Sequence, residues 1–215
     1  MKVRLLLMAS LLAVGASARA EPETDAKHAI QAMYSYGGCV VDFSPSRTRR
    51  VLSMVPGSKE EQALLRSVTD DRCINGHGGS QYLFFEPEML RGAIAEAILH
   101  LDQKRGTKAK MTDAPAPFAP LSPKDLEGLS TEGKSTLLVL DVAQCLVASD
   151  AQDVNALLDT DPASQEEGQA FAKLVPHLGP CIPNGRQVTL AKPRLRGALA
   201  EAVYRSAFVM APASR

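Results

Sequence analysis

The run Leu90-Arg91-Gly92-Ala93-Ile94-Ala95-Glu96-Ala97-Ile98 recurs as Leu195-Arg196-Gly197-Ala198-Leu199-Ala200-Glu201-Ala202-Val203, and each run follows a pair of cysteines. An internal duplication of this kind divides a chain into two copies of one structural unit. The alignment extends upstream. Cys39 falls against Cys145, Cys73 against Cys181, and Pro56-Gly57-Ser58-Lys59-Glu60-Glu61 against Pro162-Ala163-Ser164-Gln165-Glu166-Glu167. The expected fold is mainly α with short β elements, built as two pseudo-symmetric, disulfide-stapled helical repeats.

The N-terminus has the three parts of a secretory signal: Lys2 and Arg4, an apolar run from Leu5 to Ala16, and the small-residue site Ala18-Arg19-Ala20. Cleavage is expected between Ala20 and Glu21. The apolar run is shorter than the roughly 18 to 20 residues that span a bilayer, so no membrane insertion of the mature chain is expected. A lipoprotein would carry a cysteine at the cleavage point, whereas the first cysteine is Cys39. Residues 1–20 are then signal peptide, 21–103 the first unit, 104–130 a linker and 131–215 the second unit. The expected location is the periplasm or the exterior. Losing Lys2, Arg4 and Arg19 from 24 Lys+Arg leaves 21 against 24 Asp+Glu, a formal charge of −3. That balance is no footprint for nucleic acid or an anionic membrane.

Four cysteines in an exported chain are expected to form two disulfides. Of the three connectivities, the duplication selects pairing within each unit, Cys39 with Cys73 and Cys145 with Cys181. Closing loops of roughly 35 residues stabilises each unit by about 4 kcal/mol in the chain-entropy model. No Cys-x-x-Cys frame is present, so the role of the cysteines is structural.

Apolar periodicity predicts a helix from about Thr24 to Val41, with Gly37-Gly38 weakening its last turn, and a firmer counterpart over Thr136 to Ala148. Short helices follow near Arg47 to Met54 and Gln152 to Leu158. Ser58 and Ser164, each three residues before a glutamate, predict capping boxes that open a third helix in each unit. Gln81 to Phe85 and Gln187 to Leu190 change to an extended pattern and are expected to be short strands or a hairpin arm. Pro87 and Pro193 stand at the mouth of the last helix of each unit, where a missing N–H costs nothing. Lys104 to Lys134, with Pro115, Pro117, Pro120 and Pro123, is expected to be an exposed linker with a polyproline-like middle.

On a helix at 100° per residue, Leu90, Ile94, Ala97, Ile98 and Leu101 make one apolar stripe, repeated by Leu195, Leu199, Ala202 and Val203. Gly92, Ala95 and Leu99, matched by Gly197, Ala200 and Tyr204, make a second and smaller face. A helix with two apolar faces is sandwiched, and a glycine at the same place in both copies marks the close approach of another backbone. Arg91, Glu96, Arg196 and Glu201 lie at the edges of the small face. They are expected to lock the units together as ion pairs or hydrogen bonds to loop carbonyls; the alternative is that they line a shared ligand cleft.

Gly128-Leu129-Ser130-Thr131-Glu132-Gly133-Lys134-Ser135 spells the phosphate-binding pattern G-x-x-x-x-G-K-[ST], but no buried strand precedes it, and Glu132 would put a negative charge in the cradle. Ser130 or Thr131 is expected to cap a helix instead. His28, His77, His100 and His177 have no ligand spacing, and Cys73-Ile74-Asn75-Gly76-His77 spends its cysteine in the disulfide, so neither metal nor cofactor is expected. There is no G-x-S-x-G elbow and no catalytic residue to name.

The whole unit, with its helix-borne cysteine, Pro-x-Ser-x-x-Glu turn, second cysteine and Leu-Arg-Gly-Ala-x-Ala-Glu-Ala ending, resembles a family of secreted alphaproteobacterial proteins that carry it in tandem. The resemblance implies export and a tandem fold, and no activity. Cys181-Ile182-Pro183-Asn184-Gly185, followed by an extended stretch and a helix, is similar to the Rap1a/Tai type of periplasmic immunity protein, which implies a small helical inhibitor of secreted toxins. The expected function is therefore non-catalytic: an exported protein that binds a partner protein or envelope component. The alternatives are an envelope-directed hydrolase, which needs a cleft gathering His, Asp or Glu and Ser, and an immunity-type inhibitor. A docking face would show as an exposed apolar patch beyond a few hundred Å², and a uniformly polar surface would speak against it.

Overall fold

The computed structural model describes residues 22–74, 86–104, 121–183 and 188–210. Helix is the regular structure throughout these residues. Helix α1 (Pro22–Phe43) is followed by α2 (Pro45–Ser53), α3 (Lys59–Val68) and a short 3₁₀ turn at Asp71–Cys73, then α4 (Pro87–Lys104) and the five-residue α5 (Pro123–Glu127). The remainder is α6 (Thr131–Ser149), α7 (Ala151–Leu158), α8 (Gln165–Cys181) and α9 (Lys192–Met210). The disulfides join Cys39 on α1 to Cys73, and Cys145 on α6 to Cys181 at the end of α8.

The described part of the second expected strand, Val188–Leu190, is irregular and runs straight into α9. Val188 and Leu190 are partly buried against the core, so their side chains are anchored without a ladder partner. The first expected strand, 81–85, lies outside the described residues, as does 105–120 of the linker. In the described end of the linker Ser122 and Asp125 form a full capping box, and Pro123 at the first turn starts α5.

Helices α1, α4, α9 and α6 pack in that order, and the pairs α2/α3 and α7/α8 lean against them. The order follows from small residues at each crossing. Gly92 of α4 meets Gly197 of α9 so closely that a Cβ on Gly92 would lie 2.5 Å from the Gly197 Cα. Gly37 of α1 meets Ala93 of α4, where an added Cβ would stand 2.7 Å from the Ala93 Cβ. Gly37-Gly38 therefore does not end α1, which runs on to Phe43; its first glycine is an approach point. With both faces covered, α4 buries Leu90, Ile94 and Ile98 on one side and Gly92 and Ala95 on the other, and α9 does the same with Leu195, Leu199, Gly197 and Ala200. The apolar core is one continuous cluster drawing on both halves of the chain.

Candidate functional site

Arg91 and Arg196 are 1% and 0% exposed, and Glu96 and Glu201 4% and 3%, so these charges stand inside the molecule and not at the edge of a helix face. They pair across the α4/α9 crossing. Arg91 donates from Nε and Nη2 to the two carboxylate oxygens of Glu201, both at 2.7 Å, and Arg196 makes the same fork with Glu96 at 2.8 and 2.7 Å. The planar guanidinium suits this bidentate geometry.

The remaining N–H groups of each arginine tie in a helical hairpin. Arg91 donates to the carbonyls of Val51 and Leu52, at the end of α2, and to Glu61 Oε1 at 2.7 Å. Arg196 donates to Leu157 and Leu158, at the end of α7, to the Thr160 carbonyl at 2.7 Å, and to Glu167 Oε1 at 3.2 Å. Each guanidinium thus supplies the donors that the last carbonyls of a helix lack, at the negative end of its dipole.

Glu61 and Glu167 are the charged residues that sequence reasoning treated as helix-start acids alone. Ser58 and Ser164 cap α3 and α8 by accepting from Glu61 N–H and Glu167 N–H at 3.1 and 3.0 Å. The glutamates do not return to the serine N–H groups, which bond Val55 O and Asp161 O; they accept instead from Gly57 N–H and Ala163 N–H. Both preceding residues have left-handed backbones, with φ of 77° and 57°. The other carboxylate oxygen of each glutamate stays available to its arginine. The signal for this role is the Pro-x-Ser-x-x-Glu turn in both halves, whose glutamate recurs with the Arg that binds it.

Arg205, one turn after Glu201, adds two hydrogen bonds to Glu201 Oε1 at 3.0 and 2.8 Å. Burial would push the Glu201 carboxyl up, but Arg91 and Arg205 together hold it below its ordinary value. At Glu96, where Arg196 is the guanidinium partner, burial prevails and the carboxyl is raised. Burial also raises Glu61 despite Arg91.

A cavity of about 180 Å³ lies against Glu61 beside the Pro56–Gly57 turn, and two more border the forked pairs. One of about 20 Å³ touches Arg91 and Glu201 and is too small for a ligand. The other, about 360 Å³, opens between α1, α4 and the turn from α7 to α8, with walls that include Tyr34, Ser35, Asp42, Glu96, His100 and Asp161. The four signature charges are therefore not gathered in one shared cleft: of them, Glu96 alone lines the larger cavity. The Tyr34 hydroxyl donates to the Pro193 carbonyl at 3.1 Å, its ring lies beneath the Arg196 guanidinium at 5.5 Å, and burial, then Glu96, raises its pKa well above the phenol value.

Elsewhere, Ser130 caps α6 by accepting from Gly133 N–H at 3.1 Å, and Gly133 lies against Gly57, so the phosphate-like pattern is a helix start packed on a turn. His28 is exposed, His177 stands 3.6 Å from Asp150, and His77 lies outside the described residues. Among the described residues no three His, Cys, Asp or Glu side chains group as metal ligands, and no helix is long and apolar enough to cross a membrane. The exposed large hydrophobics among them, Phe43, Leu126 and Val175, fall on three different helices. No family model, curated protein or solved structure matches the chain.

Proposed function

We propose that the protein is exported with loss of residues 1–20 and acts in the periplasm or outside the cell as a non-catalytic binding protein. It consists of two pseudo-symmetric units, and its ligand site is the cleft between α1, α4 and the α7–α8 turn. The observation that carries this proposal is the contrast between the buried charges and the cleft. Arg91 spends all five N–H donors on protein acceptors, leaving it nothing for chemistry. The cleft, at about 360 Å³, is within the range of small-molecule sites and combines an aromatic ring with several carboxylates. The reciprocal Arg91–Glu201 and Arg196–Glu96 forks support the two-unit architecture, each arginine of one unit answering the glutamate of the other.

Backbone amide NMR of the oxidised protein during titration with a library of small polar solutes tests the site. Shifts centred on Tyr34, Gly38, Ala97 and Leu101 are expected; a library that leaves these amides unmoved overturns it. N-terminal sequencing of the exported protein is expected to begin at Glu21.

A hydrolase is the second reading, because Ser35, His100 and Glu96 border the same cleft. It requires Ser35 Oγ to hydrogen-bond His100, and the described hydrogen bonds contain no such pair. Ester turnover that disappears in Ser35→Ala and His100→Ala would establish it over the binding function.

A further inference from the structure

The cleft carries a more specific assignment, which rests on its being a binding site. The two buried charge clusters share the same Arg–Glu fork and the same helix-end carbonyl contacts but differ in charge balance. The Arg91 cluster balances two carboxylates, Glu61 and Glu201, with two guanidiniums, Arg91 and Arg205. The Arg196 cluster sets two carboxylates, Glu96 and Glu167, against the single guanidinium of Arg196, with the His100 imidazole as the further basic group beside Glu96. The difference lies one helical turn beyond the paired glutamate. Glu201 is followed four residues later by Arg205, whose guanidinium caps Glu201 Oε1; Glu96 is followed four residues later by His100, and there the 360 Å³ cleft opens.

We propose that the cleft binds a guanidinium-bearing small molecule, whose cation is held by Glu96 in the place that Arg205 fills beside Glu201. The Arg205 parallel selects a guanidinium, and two further observations favour a cation at this place. The molecule holds a guanidinium at the aligned position, bonded by the aligned carboxylate at 2.8 and 3.0 Å. Glu96 uses each oxygen for one bond to Arg196, and a carboxylate oxygen accepts two, so acceptor capacity remains. The cleft lining adds Asp42, Asp159 and Asp161 to Glu96, against Lys104 and His100, so its field favours a cation. The Tyr34 ring, already under the Arg196 guanidinium, belongs to the same wall.

The test is calorimetric and NMR titration of the oxidised protein with L-arginine and agmatine, beside L-citrulline, the neutral isostere, and L-glutamate. Arginine and agmatine are expected to shift amides around Glu96 and His100, with citrulline at least tenfold weaker and glutamate inert. Citrulline binding as well as arginine, or glutamate binding better, overturns the guanidinium assignment while leaving a functioning cleft. Failure of every solute to move the cleft amides overturns the cleft as well. The discriminating variant is His100→Arg, which supplies Glu96 with the side chain that Glu201 already has. It is expected to fold, to melt higher than the wild type, and to lose arginine affinity by more than tenfold. Undiminished arginine binding in His100→Arg overturns the proposal, and His100→Ala, which leaves the cleft open, is expected to retain binding.

Discussion

Two adjacent glycines in α1 have opposite consequences. Gly37 lies against Ala93 so tightly that a Cβ would stand 2.9 Å from the Ala93 carbonyl carbon, whereas a Cβ on Gly38 would meet nothing within 4 Å. Gly37→Ala is therefore expected to destabilise by about 1–3 kcal/mol through overpacking, and Gly38→Ala to stabilise by about 0.5–1 kcal/mol by restricting the unfolded chain. Thermal melts of the two variants check the opposite signs. The paired glutamates also differ in sign. With its carboxyl held low, Glu201 contributes stability that is present above the ordinary carboxylate range and lost as pH falls through its folded pKa. With its carboxyl raised, Glu96 contributes stability that is full below that range and lost as pH rises through its folded pKa. Glu201→Gln is thus expected to fall further behind the wild type as pH rises from 3 to 7, and Glu96→Gln to fall less far behind over the same span. Denaturant midpoints at several pH values measure the two slopes.

The elements of this fold are short and depend on one another. Helices α2 and α7 are nine and eight residues long, below the length at which isolated helices hold in water. Their last carbonyls are closed by Arg91 and Arg196, so an arginine on one helix completes the end of another. Replacing Arg91 by Met leaves Glu61 buried without a guanidinium and Glu201 with Arg205 alone, and is expected to cost about 3–5 kcal/mol; circular dichroism during urea unfolding reads that loss. The disulfides act at the same scale. Cys73 and Cys181 follow α3 and end α8, and each bond returns that end to the first long helix of its half. Converting Cys145 and Cys181 to Ala together is expected to cost about 2–5 kcal/mol, measured against the intact protein under non-reducing conditions.

As a whole, the molecule is joined where its two halves meet. The α4/α9 crossing carries the glycine contact, both arginine forks and part of a continuous apolar core. Unfolding is accordingly expected as one transition, with calorimetric and van't Hoff enthalpies in agreement; two resolved transitions would show that the halves stand alone. Residues 21–104 expressed by themselves would bury Arg91 without Glu201 and are expected to remain unfolded by circular dichroism. Much of this architecture was legible in the sequence. Helical periodicity, serine and proline at helix starts, and the recurrent glycine are local signals, and local chemistry sets where helices begin and which faces are apolar. The duplicated spacing likewise pointed to Cys39–Cys73 and Cys145–Cys181, because a bond within a unit depends on positions that the unit repeats. Partner choice was not legible. That Arg91 takes Glu201 and not Glu96, and that Glu61 and Glu167 turn inward, depend on how distant helices cross. The cleft belongs to the same class: His100 and Arg205 occupy matching positions in the sequence, but only the packed structure places one beside an open cavity and the other in a filled charge cluster, because space and charge balance are properties of the assembled helices and not of any one of them.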